Sequence, residues 1–289
     1  MPILTIHHRT TYGYREKVSL SPHRLMLRPR EGREVRLLNH NISLSPEAQV
    51  SWSNDVFGNA IALATFQSPA DSLVVDSLAT VDLTAAAWPV FDIAAYAINY
   101  PFLYADGDWT DLGALAAQQY NDVDNKLRAW VRGFIAADPT DTLSLLKDIS
   151  LGIASSISYQ SREEEGTQAP PATLERGWGS CRDFAVLFAE AARSLGFGAR
   201  IVSGYIFNPD RTLVGLTDNG STHAWAEVFV PGAGWITFDP TNRSLGGANL
   251  IPVAVTRDIA HAVPVLGSFV GRSDAFMTMD VAVEVKETE

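Results

Sequence analysis

At 289 residues, with 46% hydrophobic and 19% charged residues, the chain is long enough to bury one large core or two. Its net charge of −11 argues against nonspecific binding to nucleic acid, which needs positive charge. A single cysteine excludes an intrachain disulfide and fits a reducing compartment.

The start, MPILTIHHRTTYGY, has no basic segment followed by an apolar one, so no export signal is read there. Ile6, His8, Thr10, Tyr12 and Tyr14 alternate along one face of a strand. Residues 36–44, 61–66 and 73–83 are further strands, and NDVFGN at 54–59 has the chemistry of a turn. Together they predict an all-β, sandwich-like domain over residues 1–84. Its histidines form no catalytic set.

The pattern changes at residue 85. Residues 85–110 carry prolines and aromatics and read as a connector; the apolar run 85–98 is broken by Pro89 and Asp92 and is too short for a bilayer. A soluble, cytoplasmic protein without a membrane partner is expected. Val123, Leu127, Trp130, Val131 and Phe134 predict a helix over 122–136. Asp138-Pro139 reads as the start of the next helix, which turns Leu143, Leu146, Ile149 and Ile153 to one face. SREEEGTQAPP at 161–171 reads as a loop, its Glu163–Glu165 run a solvated face. The segment 121–125, NDVDN, lacks the glycine and the distal glutamate of a calcium loop, and Asp218-Asn219-Gly220 reads as a turn. No metal and no cofactor are expected.

The chemistry concentrates in GWGSCRDFAVLF, residues 177–188. Ser180 and Asp183 have capping-box spacing, which sets Cys181 at the first position of a helix closed by Gly196. Free N–H groups and the positive end of the helix dipole stabilise a thiolate there and can also hold an oxyanion. A thiol nucleophile needs an imidazole, and the imidazole an acceptor. His223 lies in the strand-like THAWAEVFV; PGAG turns the chain into WITFDPT, which carries Asp239. A three-residue loop at 230–232 pairs Phe229 with Ala233 and sets His223 opposite Asp239. A four-residue loop sets Asp239 opposite Ala226 and misses the histidine. Strands are also read at 199–207 and 275–285, the last able to pair with either part of the chain.

GWGSCRDFAVLFAEAARSLGFGARIVSGY followed by THAWAEVFVPGAGWITFDPT resembles the core of the bacterial transglutaminase-like superfamily, a papain-like thiol group that includes cysteine proteases. HRTTYGY, LMLRPR and DVFGNAIALATF resemble the β domain that precedes this core in many bacterial members. The resemblance implies an α+β fold: a cysteine-bearing helix packed on an antiparallel sheet, over residues 85–289 with the connector and the C-terminal strand. It implies Cys181 as nucleophile, His223 as base and acid, and Asp239 as the orienting carboxylate. The second oxyanion donor stays open among Trp178, Tyr159 and Ser180, with Trp225 a further cleft candidate. The implied activity is attack on a peptide, isopeptide or glutamine amide through a thioester, with hydrolysis favoured. Transamidation and a non-catalytic peptide-binding module are the alternatives. The expected partner is a protein or peptide substrate.

Overall fold

A computed structural model describes residues 2–162, 166–210, 212–214 and 220–288. The glutamate run at 163–165 and residues 218–219 of the expected turn lie outside the described residues.

The first part of the chain folds as two small β-sheets. Strands β1 (Ile3–Leu20), β2 (His23–Leu25), β3 (Val35–Ser45), β4 (Ala48–Asn54), β5 (Ala60–Phe66) and β6 (Ala70–Leu83) supply most of both. β1 lies beside β6, and β6 beside β3; β2, β5 and β4 form the second sheet. The alternation of β1 is real: Ile6, His8, Thr10 and Tyr14 are buried on one face. That face is shared between two neighbours. Tyr14, Val18, Leu73 and Val75 meet Leu25, Ala62 and Ala64 of the small sheet. Leu4, Ile6, Ala79 and Val81 meet Tyr205, Phe207, Ile251 and Val253 of the sheet that follows.

That sheet is antiparallel, with β7 (Ala199–Phe207), β8 (Gly220–Val230), β9 (Gly234–Asp239) and β10 (Leu250–Thr256) ordered β9-β8-β7-β10. Helix α5 (Cys181–Ser194) packs on this sheet through Ala199, Ile201, Ala224, Ala226, Val228 and Ala254. Helices α1 (Asp106–Leu112), α2 (Lys126–Arg132), α3 (Thr142–Ser156) and α4 (Pro170–Arg176) precede it. Every residue of α5 from Asp183 to Arg193 is buried, as its nearly continuous apolar run requires. The central sheet and the small sheet therefore pack on one face of the long N-terminal sheet, and the helices pack on the central sheet. Asn59, in the expected turn, ties the two parts together. Its amide donates to the Val255 carbonyl (2.7 Å) and accepts the Val255 N–H (2.9 Å). Among the described residues no helix is long and apolar enough to cross a membrane.

Several boundaries differ from the sequence reading. The helix expected over 122–136 is only α2. Asp122 accepts the N–H groups of Leu127 and Arg128, so residues 122–125 are its capping turn. The next helix does not start at Pro139. Thr140 and Asp141 pair in extended form with Tyr100 and Asn99, and Asp141 caps α3 by accepting the Ser144 N–H at 2.7 Å. The loop read at 161–171 ends early, because Pro170 opens α4 with its fixed backbone angle. The terminal strand β11 (Phe276–Glu287), grouped by sequence with the core, hydrogen-bonds along β1 from Leu4 to Tyr14. A long edge strand with free N–H and C=O groups recruits whichever chain segment can reach it.

Candidate active site

Three local features converge on Cys181. Gly177 ends α4 in the left-handed conformation (φ 67°). Trp178 and Gly179 then pair in parallel with Ser158 and Tyr159, which carries Tyr159 to the start of α5. At Gly179 an added Cβ would stand 2.9 Å from that of Asp183, so the chain passes where a side chain would clash. The capping box is formed. The fully buried Asp183 carboxylate accepts the Ser180 backbone N–H (2.8 Å) and hydroxyl (2.9 Å). It also accepts the Gln168 N–H (2.6 Å) and pairs with Arg162 (3.2 Å). Asp183 is thus a local strut that holds the preceding loop to the helix start.

Cys181 is the first residue of α5 and is half-buried. His223, 6% exposed, meets the fully buried Asp239, with Nε2 2.8 Å from Oδ2. The opposite ring nitrogen is left for Cys181, which lies close enough for the two groups to shift each other's pKa. The hairpin achieves this in a register different from both of those expected from the sequence. Val230 pairs with Gly234 and Ala226 with Phe238, so the loop is 231–233. Extending that register sets Asp239 across from Trp225, one diagonal step from His223. Positions two apart share a strand face, so the diagonal pair still meets. Trp225 lies under the imidazole, its ring stacked at 6.1 Å and 28°.

The charges reinforce one another. Burial opposes ionisation of the Cys181 thiol, but the hydrogen bond and charge of His223 outweigh it, with help from the Ala224 N–H and Arg182. The thiol pKa falls below the ordinary value. Burial also opposes a charged His223, and Asp239 overcomes it, holding the imidazolium above its usual range. Asp239 is in turn held below the usual carboxylate range: burial works against it, and the charge of His223 and the Asn242 donors prevail. The arrangement favours a thiolate–imidazolium pair.

The four further candidates divide. The Ser180 hydroxyl is committed to Asp183, and Trp225 is 1% exposed beneath His223, so it packs rather than lines an open cleft. Trp178 is half-buried, with the Arg176 guanidinium 5.8 Å from its ring centre. Tyr159 is near enough to feel the charges of Cys181 and Asp239. Burial first, then Cys181, pushes its hydroxyl up to about 12, so it stays a proton donor. Tyr159 also lines a cavity of about 610 Å³ with Thr241, Asn242, Arg243 and residues 212–214. Asn242 was not singled out from the sequence, although it lies three residues beyond Asp239 in DPTN, where a side chain can fold back on a turn. Among the described residues no group of three or more His, Cys, Asp or Glu side chains could hold a metal ion.

Gly204 lies directly across the ladder from His223. A Cβ there would run into the Ile251 carbonyl and come within 2.9 Å of Trp225. We expect Gly204→Ala to destabilise the protein by about 1–3 kcal/mol, as overpacking does. A lowered denaturation midpoint in urea checks it; an unchanged midpoint would mean that β10 yields freely.

Residues 4–82 match the bacterial transglutaminase-like N-terminal region, and residues 128–240 match the transglutaminase-like superfamily model. An uncharacterized protein of Mycobacterium tuberculosis is 28% identical over 304 residues, covering 97% of this chain and 91% of that one. Another, from Mycobacterium leprae, is 24% identical and covers 98% of each chain. The fold is similar to that of a "putative cysteine protease" from Cytophaga hutchinsonii. The TM-score is 0.76 and the identity 21%, over all of this chain and 92% of that one. The chain thus carries a transglutaminase-like superfamily match over residues 128–240, with the bacterial transglutaminase-like N-terminal region matched ahead of it.

Proposed function

We propose that the protein performs thiol-dependent acyl chemistry on an amide, with Cys181 as nucleophile, His223 as acid and base, and Asp239 as the group that orients the imidazolium. The observation that carries this is the position of His223, hydrogen-bonded to Asp239 at 2.8 Å and close enough to Cys181 to lower its thiol pKa. The Cys181 thiolate attacks the carbonyl carbon, forming an S–C bond and moving the carbonyl π pair onto oxygen. The free N–H at the start of α5 and the Tyr159 hydroxyl are the proposed donors to that oxyanion. Collapse breaks the C–N bond, and His223 gives its proton to the leaving amine. The thioester then accepts water, whose proton goes to the now neutral His223. The S–C bond breaks, releasing a carboxylic acid and restoring the thiolate. Hydrolysis is the proposed outcome, with transfer to an amine the alternative that the test below separates. The proposed substrate is a protein or peptide.

A tryptic peptide mixture incubated in ¹⁸O-labelled water tests this. Wild type is expected to yield products carrying one ¹⁸O in a new carboxylate, and Cys181→Ala none. With a primary amine added, dominant amine incorporation would replace hydrolysis by transamidation. No turnover of either kind, across peptides and their glutamine side chains, would sink the enzymatic reading.

A further inference from the structure

Asn242 stands between the cavity and the buried Asp239–His223 pair. Its Nδ2 donates to Asp239 Oδ2 at 2.7 Å and lies 3.5 Å from His223 Nε2. Its Oδ1 accepts the backbone N–H of Val214 at 3.0 Å. An amide side chain has one acceptor and one donor end. With the acceptor end taken by Val214, the donor end faces Asp239. The same carboxylate oxygen therefore receives His223 and Asn242, while Oδ1 receives the Thr241 and Asn242 N–H groups at 3.0 and 3.4 Å. Both Asn242 and Val214 line the cavity. His223 and Asp239 do not line it, so Asn242, which bonds Asp239, lies between the cavity and their bond.

We propose that Asn242, oriented by the Val214 N–H, is a positioning residue for the reaction above, fixing Asp239 against His223 and shielding their bond from cavity water. This rests on the proposed thiol chemistry. The groups that face the pair are Cys181 and Arg182 from α5, Tyr159 beside them, and His223 and Asp239 from β8 and β9. Among these, Asp239 stabilises the imidazolium, and the imidazolium stabilises the thiolate. Water admitted at the Asp239–His223 bond weakens the first link. His223 then loses its proton at lower pH, and the uncharged ring no longer holds Cys181 as thiolate. The midpoint of Cys181 reactivity moves up in pH.

The test is the rate of Cys181 alkylation by iodoacetamide against pH in the full chain. Asn242→Ala is expected to shift the midpoint upward and slow the reaction at pH 6 about tenfold, the size of one lost charge-assisted hydrogen bond. Val214→Pro removes the orienting N–H, while also fixing the local backbone, and is expected to shift the midpoint the same way. The double variant is expected to move no further than Asn242→Ala, since both act through one link. A folded Asn242→Ala with the wild-type midpoint overturns the proposal. If that variant does not fold, an unmoved midpoint in Val214→Pro overturns it. An ordinary thiol profile in wild type takes down the thiol chemistry and this role together. An activated wild type with unmoved variants takes down this role alone.

Discussion

Replacing His223 by alanine is expected to abolish the reactivity of Cys181 below neutral pH. Wild type should alkylate well under the ordinary thiol range near pH 8.5, because His223 lowers the Cys181 pKa against the opposing effect of burial. His223→Ala removes the hydrogen bond and the positive charge together and leaves burial, which raises the pKa. The Ala224 N–H, Arg182 and the positive end of α5 still favour the thiolate, without the larger contribution of His223. The midpoint must therefore rise, and at pH 6 the rate should fall by about 10²-fold, the low end of what an activating base contributes. Asp239→Asn should move the same midpoint upward, because the carboxylate charge is what keeps His223 protonated. Equal rates in wild type and His223→Ala across pH 5–9 would show that the imidazole does not reach the thiol in solution.

Glu190→Ala is expected to cost about 3–5 kcal/mol of stability, the usual effect of removing one partner from a buried ion pair. Glu190 is fully buried and Arg193 3% exposed, with Oε1 2.7 Å from Nη1. Glu190 Oε2 also accepts the N–H groups of Gln119 and Tyr120 (2.9 and 3.0 Å), which fastens the connector between α1 and α2 onto α5. Arg193 reaches the carbonyls of Leu115, Ala199 and Arg257. Removal of the carboxylate strands the guanidinium charge and two backbone donors at once. Urea denaturation gives the measurement; a loss below about 1 kcal/mol would mean that water fills the site and pairs Arg193. Glu190→Gln should fall between, because it keeps an acceptor for the connector and loses the charge.

Local rules decided much of this protein from its sequence. Alternation of apolar side chains placed β1, β3, β5 and β6, because a strand buried on one face has a period of two. The S-x-x-D cap set Cys181 at the first turn of α5, because the unsatisfied N–H groups there must find acceptors within three residues. Composition and length placed the β-rich part ahead of the α-then-β part. The helix starts at 126 and 142 were missed because extended pairing of residues 140–141 and a side-chain turn at Asp122 overrode weaker local signals.

What long-range contact decides, the sequence left open. Nothing within THAWAEVFVPGAGWITFDPT selects the hairpin register, since three neighbouring loops are sterically possible; packing of Ala226, Val228, Ile236 and Phe238 against α5 selects it. Asn242 entered the site only once the turn after Asp239 was seen to bring it back to the carboxylate and out to Val214. The terminal strand chose β1 because only the folded chain presents that open edge beside the end of the central sheet. The residue types that can make a thiolate–imidazolium pair are written in the sequence. Their distances, burial and partners come from the tertiary structure, because hydrogen bonds and charges act over a few ångströms of space and not along the chain.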